Sequence, residues 1–358
     1  MNRAFLLVLD EGPDGFPAEA ARVELESLCR TAGLQAAAGE FLRVREPNPS
    51  TYLGSGRVAE FAGRVKDSGF ETVVLNVDLS AVQQRNLEEA WGIPVLDRTS
   101  LILRIFSFHA NSAEGKLQVD LARENYRLSR LTGRGVALSR LGGGIGTRGP
   151  GEMKLEEERR HIRESIRRLE ERIVKLKKQR QRTRELRRSR GLPEVALVGY
   201  TNAGKSSILN ILCGRPAARV ADQLFATVDP TSRRLHLGQN RFAVITDTVG
   251  FVHNLPHTLV AAFHATLEGL GEAHLLLLVL DGGSPLLFEH YRTTCQVMSE
   301  VRADRQPVLL IVNKIDQLDT PDRERLKRKL PEARLVSART GEGISELRED
   351  IYKRLWTP

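Results

Sequence analysis

The sequence predicts an α/β protein in three parts: an N-terminal α/β domain with a mostly parallel sheet, a long antiparallel helical hairpin, and a doubly wound C-terminal α/β domain. Two observations predict this class. Short apolar runs alternate with helix-like stretches at both ends of the chain, a pattern that favours parallel sheets. Between them lie two charged stretches whose apolar residues recur at helical spacing.

The N-terminal domain is predicted over residues 1–98. Strands are expected at Phe5–Leu9, Phe41–Val44, Thr72–Leu75 and Ile93–Leu96. Helices are expected at Pro17–Arg30, Arg57–Lys66 and Ser80–Trp91. The glycine-rich residues 51–58, TYLGSGRV, precede a helix, but a lone Gly-x-Gly pattern indicates a structural turn more often than a phosphate site.

The helical hairpin is predicted over residues 99–190. One apolar stripe consists of Leu117, Leu121, Leu128 and Leu131. The other has the spacing of a heptad repeat and consists of Leu155, Ile162, Ile166, Leu169, Ile173 and Leu176. The glycine-rich residues 142–152, GGGIGTRGPGE, join the two stretches. Two helices with matching stripes and one connecting loop are expected to pack antiparallel, with this loop at the tip.

The positive charge of the chain is concentrated in the second half of the hairpin. The formal net charge is +9, and residues 154–190 contain 16 Lys and Arg against 7 Asp and Glu, which accounts for the whole excess. A concentrated positive field attracts polyanions, nucleic acid first. The alternative is a solvated helix face without a ligand.

Composition argues against several classes of protein. The three cysteines are far apart, which argues against a disulfide framework or a zinc site and suits a reducing cytosol. The longest apolar run, Leu275–Leu280, is too short to cross a membrane, and the first residues do not form a signal peptide. We therefore expect a cytoplasmic protein without stable membrane insertion.

The C-terminal domain is predicted over residues 191–358. Its strands are expected in the apolar runs at residues 195–199, 241–246, 274–281, 308–313 and 333–337. The first run is followed by GYTNAGKS, residues 199–206, which fits the phosphate-binding pattern G-x-x-x-x-G-K-[ST] between a strand and a helix. In such a loop the backbone N–H groups surround the phosphates, Lys205 contacts the β- and γ-phosphates, and the Ser206 hydroxyl binds Mg²⁺.

Three further motifs follow at the ends of later strands. DTVG places Asp247 where a second Mg²⁺ ligand belongs, acting through water, and Gly250 where its N–H meets the γ-phosphate. In NKID, the Asp316 carboxylate can accept two N–H bonds from guanine but not from adenine. SAR, residues 337–339, fits a backbone contact to the base. Because doubly wound folds bind ligands at the carboxyl ends of their strands, four motifs in this order predict a guanine nucleotide site.

The predicted site for GTP and GDP also draws on the loop before Asp247. A γ-phosphate sensor belongs there, and Thr227 is favoured over Thr231 as the further Mg²⁺ ligand. The predicted catalytic residues are Lys205, Thr227 and Gly250. The predicted nucleotide-binding residues are Gly199, Tyr200, Thr201, Asn202, Ala203, Gly204, Lys205, Ser206, Ser207, Phe225, Ala226, Thr227, Val228, Asp229, Asp247, Thr248, Val249, Gly250, Asn313, Lys314, Asp316, Ser337, Ala338 and Arg339.

Phe251 follows DTVG, at the position where a Ras-type enzyme carries the glutamine that orients the attacking water. Phenylalanine cannot orient water, so slow hydrolysis of GTP is expected from the isolated protein. Another molecule or a potassium-type cation is expected to complete the site. His253 and His257 lie close behind, but histidines in solvated loops are common and a role as a base is not favoured.

Together these motifs resemble the HflX family of translation-factor-related GTPases, and the match covers nearly the whole chain. In the C-terminal domain it includes LVGYTNAGKSS at residues 197–207, DQLFATVDPTSRR at 222–234 and the stretch 247–268. Upstream it includes NPSTYLGSGRV at residues 48–58, DRTSLILRIF at 97–106, EGKLQVDLA at 114–122 and the glycine-rich loop. The upstream matches identify the family, because the GTPase motifs alone name only a superfamily.

The resemblance implies a GTPase, with Mg²⁺ as cofactor, that binds the large (50S) ribosomal subunit, hydrolyses GTP there and splits or rescues stalled or idle ribosomes. It also implies that the hairpin approaches rRNA. The residues predicted to contact rRNA are Gly143, Gly144, Arg148, Gly149, Lys177, Lys178, Arg180 and Arg184. We expect a monomer that lacks the further C-terminal domain carried by many relatives.

Two alternatives stay open from the sequence. The chain could be an RNA-binding or RNA-remodelling protein whose RNA affinity is regulated by guanine nucleotide, with any ATP site confined to the N-terminal domain. Its role could also be ribosome assembly rather than splitting, since both use the same partner and the same chemistry.

Overall fold

The computed structural model describes residues 2–10, 16–138, 150–189, 191–214, 223–253 and 268–357. Most of the predicted tip loop, residues 142–149, lies outside the described residues. The chain divides into two compact units, the first comprising Met1–Phe108 and Lys116–Ile173 and the second comprising His109–Gly115 and Val174–Pro358. The three-domain division at residues 98 and 190 stays a prediction.

The first unit contains a four-stranded parallel sheet in the order β2-β1-β3-β4. Its strands are β1 (Asn2–Asp10), β2 (Leu34–Arg43), β3 (Thr72–Leu75) and β4 (Val95–Leu96). The helices between and after them are α1 (Ala18–Thr31), α2 (Ser55–Asp67), α3 (Ala81–Trp91) and α4 (Arg98–His109). The predicted α/β fold is confirmed, although β2 begins at Leu34 rather than Phe41 because β1 pairs with it along its whole length.

An aromatic cluster fills one side of this sheet. Phe61 and Trp91 are fully buried, and their ring centroids lie 6.4 Å apart. The Trp91 indole N–H donates to the Val58 carbonyl at 3.0 Å, which satisfies the polar atom of the side chain inside the core. Since α2 carries Phe61 and α3 carries Trp91, this contact fixes both helices on the same face of the sheet.

Asp97 is completely buried at the start of α4 and organises a polar network. Its carboxylate accepts hydrogen bonds from the Ser100 backbone N–H at 2.8 Å and the Tyr126 hydroxyl at 2.9 Å, and it pairs with Arg130. Buried charges are tolerated where they are paired and hydrogen-bonded in this way. The network therefore fixes α4 against the helix that carries Tyr126 and Arg130.

Two long helices follow, α5 (Ala113–Leu138) and α6 (Pro150–Ser189). Glu114, near the start of α5, pairs with Arg180, near the end of α6, at 2.7 Å. The Leu131 carbonyl, in the second half of α5, accepts a bond from Arg159 in the first half of α6 at 3.5 Å. The helices are antiparallel, as predicted, and the buried members of the two predicted stripes are Leu117, Leu121, Leu131, Ile162 and Leu169.

The second unit contains a six-stranded sheet in the order β10-β9-β8-β5-β7-β6, in which only the edge strand β6 is antiparallel to its neighbour. Its strands are β5 (Glu194–Gly199), β6 (Thr231–His236), β7 (Phe242–Asp247), β8 (Leu275–Asp281), β9 (Val308–Asn313) and β10 (Arg334–Leu335). The described helices are α7 (Lys205–Cys213), α8 (Leu287–Glu300), α9 (Thr320–Lys329) and α10 (Ile344–Trp356). The doubly wound fold is confirmed; β6, whose Thr231 begins the strand, was not predicted.

The structure also describes the cysteines and the apolar character of the helices. The three cysteines are free: Cys29 is buried, and Cys213 and Cys295 are half-buried. Within the described residues, no helix combines the length and the apolar character needed to cross a lipid bilayer.

The Asp97 network predicts a large loss of stability in Asp97→Ala. The substitution leaves the Arg130 guanidinium and the bonded N–H groups without their buried partner, so the free energy of unfolding should fall by about 3–5 kcal/mol. Urea denaturation followed by circular dichroism measures the change. Glu60→Ala, which removes exposed ion pairs with Arg57 and Arg64 in the same unit, should cost less than about 1 kcal/mol. An equal fall in the free energy of unfolding in the two variants would contradict the stabilising role of the Asp97 network.

Candidate nucleotide-binding site

The loop between β5 and α7 borders an open space at the carboxyl edge of the second sheet. It turns through Asn202 and Gly204, which have φ angles of 61° and 93°. A Cβ atom at position 204 would lie 2.1 Å from the Nδ2 atom of Asn313. Gly204 is therefore required both by its left-handed backbone and by the side chain behind it. Helix α7 begins immediately afterwards, so its first residues border the same space.

Lys205 is buried at the start of α7. Its ammonium group donates to the carbonyls of Gly199 at 3.1 Å and Tyr200 at 2.9 Å. Burial lowers the pKa of Lys205 to about 8, while the negative charge of Asp247 acts in the opposite direction. The loop thus holds a cation whose charge is only partly compensated, a suitable arrangement for a bound phosphate.

Three oxygen-bearing side chains from distant segments meet beside Lys205. The Ser206 hydroxyl lies 2.8 Å from the Thr227 hydroxyl and donates to Asp247 Oδ2 at 2.5 Å. The Thr227 hydroxyl donates to the same carboxylate oxygen at 3.0 Å. These are the three predicted Mg²⁺ ligands, and the structure brings them together.

The Asp247 carboxylate is the group that most requires a further partner. It is fully buried, and its Oδ1 atom has no hydrogen-bond partner within the described residues. Burial raises the pKa of Asp247, and the charge of Lys205 and the hydrogen bonds from Ser206 and Thr227 oppose that shift. Hard oxygen donors with an unsatisfied carboxylate oxygen fit Mg²⁺, which prefers one or two carboxylates among oxygen ligands.

The end of the site predicted to bind the base is organised by Asn313, the last residue of β9. Its Nδ2 group donates to the Ala203 carbonyl at 3.0 Å, and its Oδ1 atom accepts from the Ala338 N–H at 3.0 Å. Asp316 lies nearby, and its carboxylate accepts a hydrogen bond from the Ser337 hydroxyl at 2.7 Å. The Asp316 side chain is 13% exposed, so a carboxylate held in a fixed orientation reaches the open space.

The open space is a cavity of about 400 Å³ that joins the two ends of the site. Of the predicted residues, it is lined by Thr201, Asn202, Gly204, Lys205, Ser206, Ser207, Phe225, Ala226, Thr227, Thr248, Gly250, Asn313, Lys314, Asp316, Ala338 and Arg339. The predicted residues that do not line it are Gly199, Tyr200, Ala203, Val228, Asp229, Asp247, Val249 and Ser337. Most of these support the lining from behind, as Asp247 and Ser337 do, but the Asp229 carboxylate bonds to Asn111 and Ser112 instead.

Three residues of the site were missed by the sequence analysis. Gln223 and Gln317 line the cavity. Asp281, at the end of β8, pairs with the Lys314 ammonium at 2.7 Å and so holds the NKID segment in place. The position of Asp281 at the carboxyl end of a predicted strand was a signal that could have identified it.

Phe251 is buried in the second unit, with 1% of its surface exposed. Its backbone N–H donates to the Gly199 carbonyl at 3.1 Å, and its carbonyl accepts from the Thr201 N–H at 2.7 Å. The side chain therefore packs in the interior and offers no polar group to an attacking water. His253 is half-buried, with its backbone N–H bonded to the Tyr200 hydroxyl, and His257 lies outside the described residues.

The residues predicted to contact rRNA lie in different surroundings. Lys177 and Lys178 are exposed on α6, whereas Arg180 is half-buried in its ion pair with Glu114. Arg184 belongs to the same helix, and its side chain is not described. Four predicted contacts lie outside the described residues: Gly143, Gly144, Arg148 and Gly149.

Comparisons with protein families cover each part of the chain. Residues 19–107 match the family described as "GTP-binding GTPase N-terminal", and residues 109–187 match "GTP-binding GTPase Middle Region". Residues 194–314 match the family described as "50S ribosome-binding GTPase".

Individual relatives extend this similarity over most of the chain. GTPase HflX of Caldanaerobacter subterraneus subsp. tengcongensis is 46% identical over 318 residues, which cover 89% of this chain and 73% of the relative. GTPase HflX of Escherichia coli is 42% identical over 93% of this chain and 78% of the relative. Among solved structures, the crystal structure of the SsGBP and GDP complex has a TM-score of 0.53 at 24% identity and covers 99% of this chain and 98% of that chain, a likeness in fold.

The lowered pKa of Lys205 predicts that GDP binding near pH 8 takes up a proton. In the free protein the amine is about half charged at this pH, and a bound phosphate favours the charged form, so uptake should approach about half a proton and shrink as the pH falls to 7. Calorimetric titration with GDP, with Mg²⁺ chelated and in buffers of different ionisation enthalpy, measures the uptake. Lys205→Arg, whose guanidinium stays charged, should show none; unchanged uptake in that variant would show that another group is responsible.

Proposed function

Because the chain belongs to the HflX family of GTPases, we propose that its GTP-bound form binds the large ribosomal subunit, which stimulates hydrolysis and release. Family membership establishes that the protein binds guanine nucleotide and hydrolyses GTP to GDP and phosphate. The proposed role on the ribosome is to separate stalled or idle ribosomes into subunits. The observation that carries this proposal is the match of residues 194–314 to a family of 50S ribosome-binding GTPases.

The phosphates are assigned to the loop at residues 199–206. The Lys205 ammonium, which donates to the carbonyls of Gly199 and Tyr200, contacts the β- and γ-phosphates, and the Gly250 N–H contacts the γ-phosphate. A Cβ atom at position 250 would lie 2.6 Å from Thr201 Cα and 3.0 Å from the Lys205 amine, so a glycine is needed for this close approach. Preorganised donors of this kind stabilise the charge that develops on the phosphates during transfer.

Mg²⁺ is assigned to Ser206, Thr227 and, through water, Asp247. When bound, the ion would neutralise negative charge on the β- and γ-phosphates. The two hydroxyls and the carboxylate already lie within 3.0 Å of one another, which supports the assignment. Thr227 belongs to a segment far from the phosphate loop in sequence, and its hydroxyl is assigned to sense the γ-phosphate through the bound ion.

Guanine is assigned to the Asp316 carboxylate, with Asn313 and Ala338 forming the wall beside it. Guanine presents two adjacent N–H donors to a carboxylate, whereas adenine does not. The hydrogen bond from Ser337 keeps Asp316 oriented before the nucleotide arrives, so little conformational entropy is lost on binding.

The buried Phe251 explains why a partner is required. An attacking water must be oriented by a polar group, and the residue at this position faces the core instead. We expect slow hydrolysis by the free protein and completion of the site when the ribosomal subunit binds. The exposed lysines of α6 provide phosphate contacts for rRNA, since residues 154–190 hold the whole excess of positive charge.

The Asp316 assignment predicts a change in base preference. Asp316→Asn replaces an acceptor by an amide that also donates, so the affinity for GDP should fall by about 10³-fold or more, while xanthosine diphosphate, which offers an acceptor at that edge, should bind better than to the wild type. Competition titration against a fluorescent nucleotide measures both affinities. An unchanged preference for guanine would remove Asp316 from the base site.

The ribosome proposal predicts that purified 50S subunits stimulate GTP hydrolysis strongly at matched salt. The double substitution Lys177→Glu and Lys178→Glu should reduce this stimulation by about tenfold by removing phosphate contacts, and should leave hydrolysis by the free protein unchanged. Steady-state phosphate release with and without subunits measures both rates.

The matched control reverses two adjacent exposed charges elsewhere, Lys327→Glu and Arg328→Glu on α9, and should retain the stimulation. Absence of stimulation in the wild type, with GTP binding intact, would contradict the ribosome proposal. Equal stimulation by a short RNA duplex would favour the RNA-remodelling alternative.

A further inference from the structure

The segment that carries Thr227 is held from outside the GTPase motifs, and we propose that the loop of residues 109–115 positions Thr227 for the γ-phosphate. The contact is made through Asp229, two residues after Thr227. We name it the clamp: the hydrogen bonds between the Asp229 carboxylate and residues 111 and 112. This inference rests on the proposed role of Thr227 as a Mg²⁺ ligand and γ-phosphate sensor.

The clamp consists of three short hydrogen bonds to one carboxylate. The backbone N–H groups of Asn111 and Ser112 each donate to Asp229 Oδ2 at 2.7 Å. The Ser112 hydroxyl donates to Asp229 Oδ1 at 2.5 Å. Hydrogen bonds to an ionised acceptor are among the stronger ones in proteins, and three that converge on one side chain fix its position.

The loop that supplies these donors is itself firmly held. The Gly115 N–H donates to the Ser112 hydroxyl at 2.9 Å, which forms the first turn of α5. The adjacent Glu114 pairs with Arg180 of α6 at 2.7 Å, and its side chain is only 13% exposed. The clamp therefore ties Asp229 to an anchored point and not to a loose loop.

Thr227 lies between two such fixed points. On one side, the Phe225 N–H donates to the Thr201 hydroxyl at 2.7 Å, and the Phe225 side chain is buried. On the other side, Val228 is buried and Asp229 is clamped. A residue held at both ends over a short span has few positions available to its hydroxyl, so loss of either anchor costs conformational entropy when Thr227 engages the cluster with Ser206.

Gly115 is the residue on which the clamp depends sterically. A Cβ atom at this position would lie 2.0 Å from Asp229 Oδ1 and 3.1 Å from its Cγ atom. Gly115 does not have a left-handed backbone, and alanine favours helices over glycine by about 1 kcal/mol. Gly115→Ala should therefore expel the Asp229 carboxylate while preserving helix α5.

The test compares affinities for GDP and for a non-hydrolysable GTP analogue, measured by calorimetry with Mg²⁺ in the full chain. Gly115→Ala should leave the affinity for GDP unchanged and lower the affinity for the analogue. The preference for the analogue over GDP, the ratio of the two affinities, should therefore fall by about tenfold. Ser112→Ala removes one of the three bonds of the clamp together with the bond from the Gly115 N–H to the hydroxyl. It should lower the preference for the analogue over GDP by about threefold, and Ser112→Thr, which keeps a hydroxyl, should restore it. A merely structural role would weaken both nucleotides equally.

Two further measurements test whether the effect comes from the contact between Ser112 and Asp229. Gly63→Ala is the same substitution in helix α2, where the added Cβ atom meets nothing within 4 Å, and should change neither affinity. The combination of Ser112→Ala with Asp229→Asn should lower the preference by less than the product of the two single effects, because both remove the same contact.

Thr227→Ala distinguishes an error in the proposed clamp from an error in the proposed role of Thr227. If Thr227→Ala lowers the preference for the analogue while Gly115→Ala and Ser112→Ala do not, the clamp is wrong and the assignment of Thr227 stands. If Thr227→Ala leaves the preference intact, the assignment of Thr227 is wrong and the clamp has no role in sensing the γ-phosphate.

Discussion

The buried carboxylate of Asp247 is the constraint on which the nucleotide site depends. It lies at the carboxyl end of β7, where the parallel strands bring it beside the first turn of α7, and it receives hydrogen bonds from Ser206 and Thr227. A buried charge of this kind is costly unless it is paired, and its second oxygen has no hydrogen-bond partner within the described residues. The proposed binding of Mg²⁺ therefore rests on a buried carboxylate that the fold places here, and it extends to the segment that carries Thr227.

Asn313 has the corresponding role at the base end. One amide connects the loop at Ala203 to the SAR segment at Ala338, so the two halves of the cavity, assigned to the phosphates and to the base, share a side chain. Gly204 must lack a Cβ atom for this amide to fit. Because the strand order places β9 beside β8 and β8 beside β5, residues more than a hundred positions apart become direct neighbours.

Local patterns in the sequence predict much of this arrangement. The buried strands of the second sheet are continuous apolar runs, and each motif follows the end of a strand, so the positions of Lys205, Asp247 and Asp316 follow from topology alone. Strands at the sheet edges were harder to identify: the first seven residues of β2, LQAAAGE, are largely exposed and include no β-branched residue, and β6 is polar and half-exposed. These two segments form strands because they pair with β1 and β7, and no local pattern in the sequence indicates that pairing.

Contacts between segments that are distant in sequence also could not be predicted. Ser112 and Asp229 are 117 residues apart, and neither residue type has a distinctive signature in a loop. Asp229 was predicted to contact the nucleotide because it lies in the segment of Thr227, whereas its carboxylate accepts a hydrogen bond from the Ser112 N–H just before α5. Proximity in sequence identifies a segment but cannot decide which way a side chain points.

The central claim is that Asp247, Ser206 and Thr227 form the Mg²⁺ site of a GTPase. The most direct measurement is the affinity for a non-hydrolysable GTP analogue as a function of Mg²⁺ concentration, in the wild type and in Asp247→Asn. We predict that Mg²⁺ strengthens binding to the wild type by at least about tenfold and that most of this dependence disappears in the variant, since the asparagine amide has no charge to offer the ion. An equal dependence on Mg²⁺ in both proteins would contradict the account.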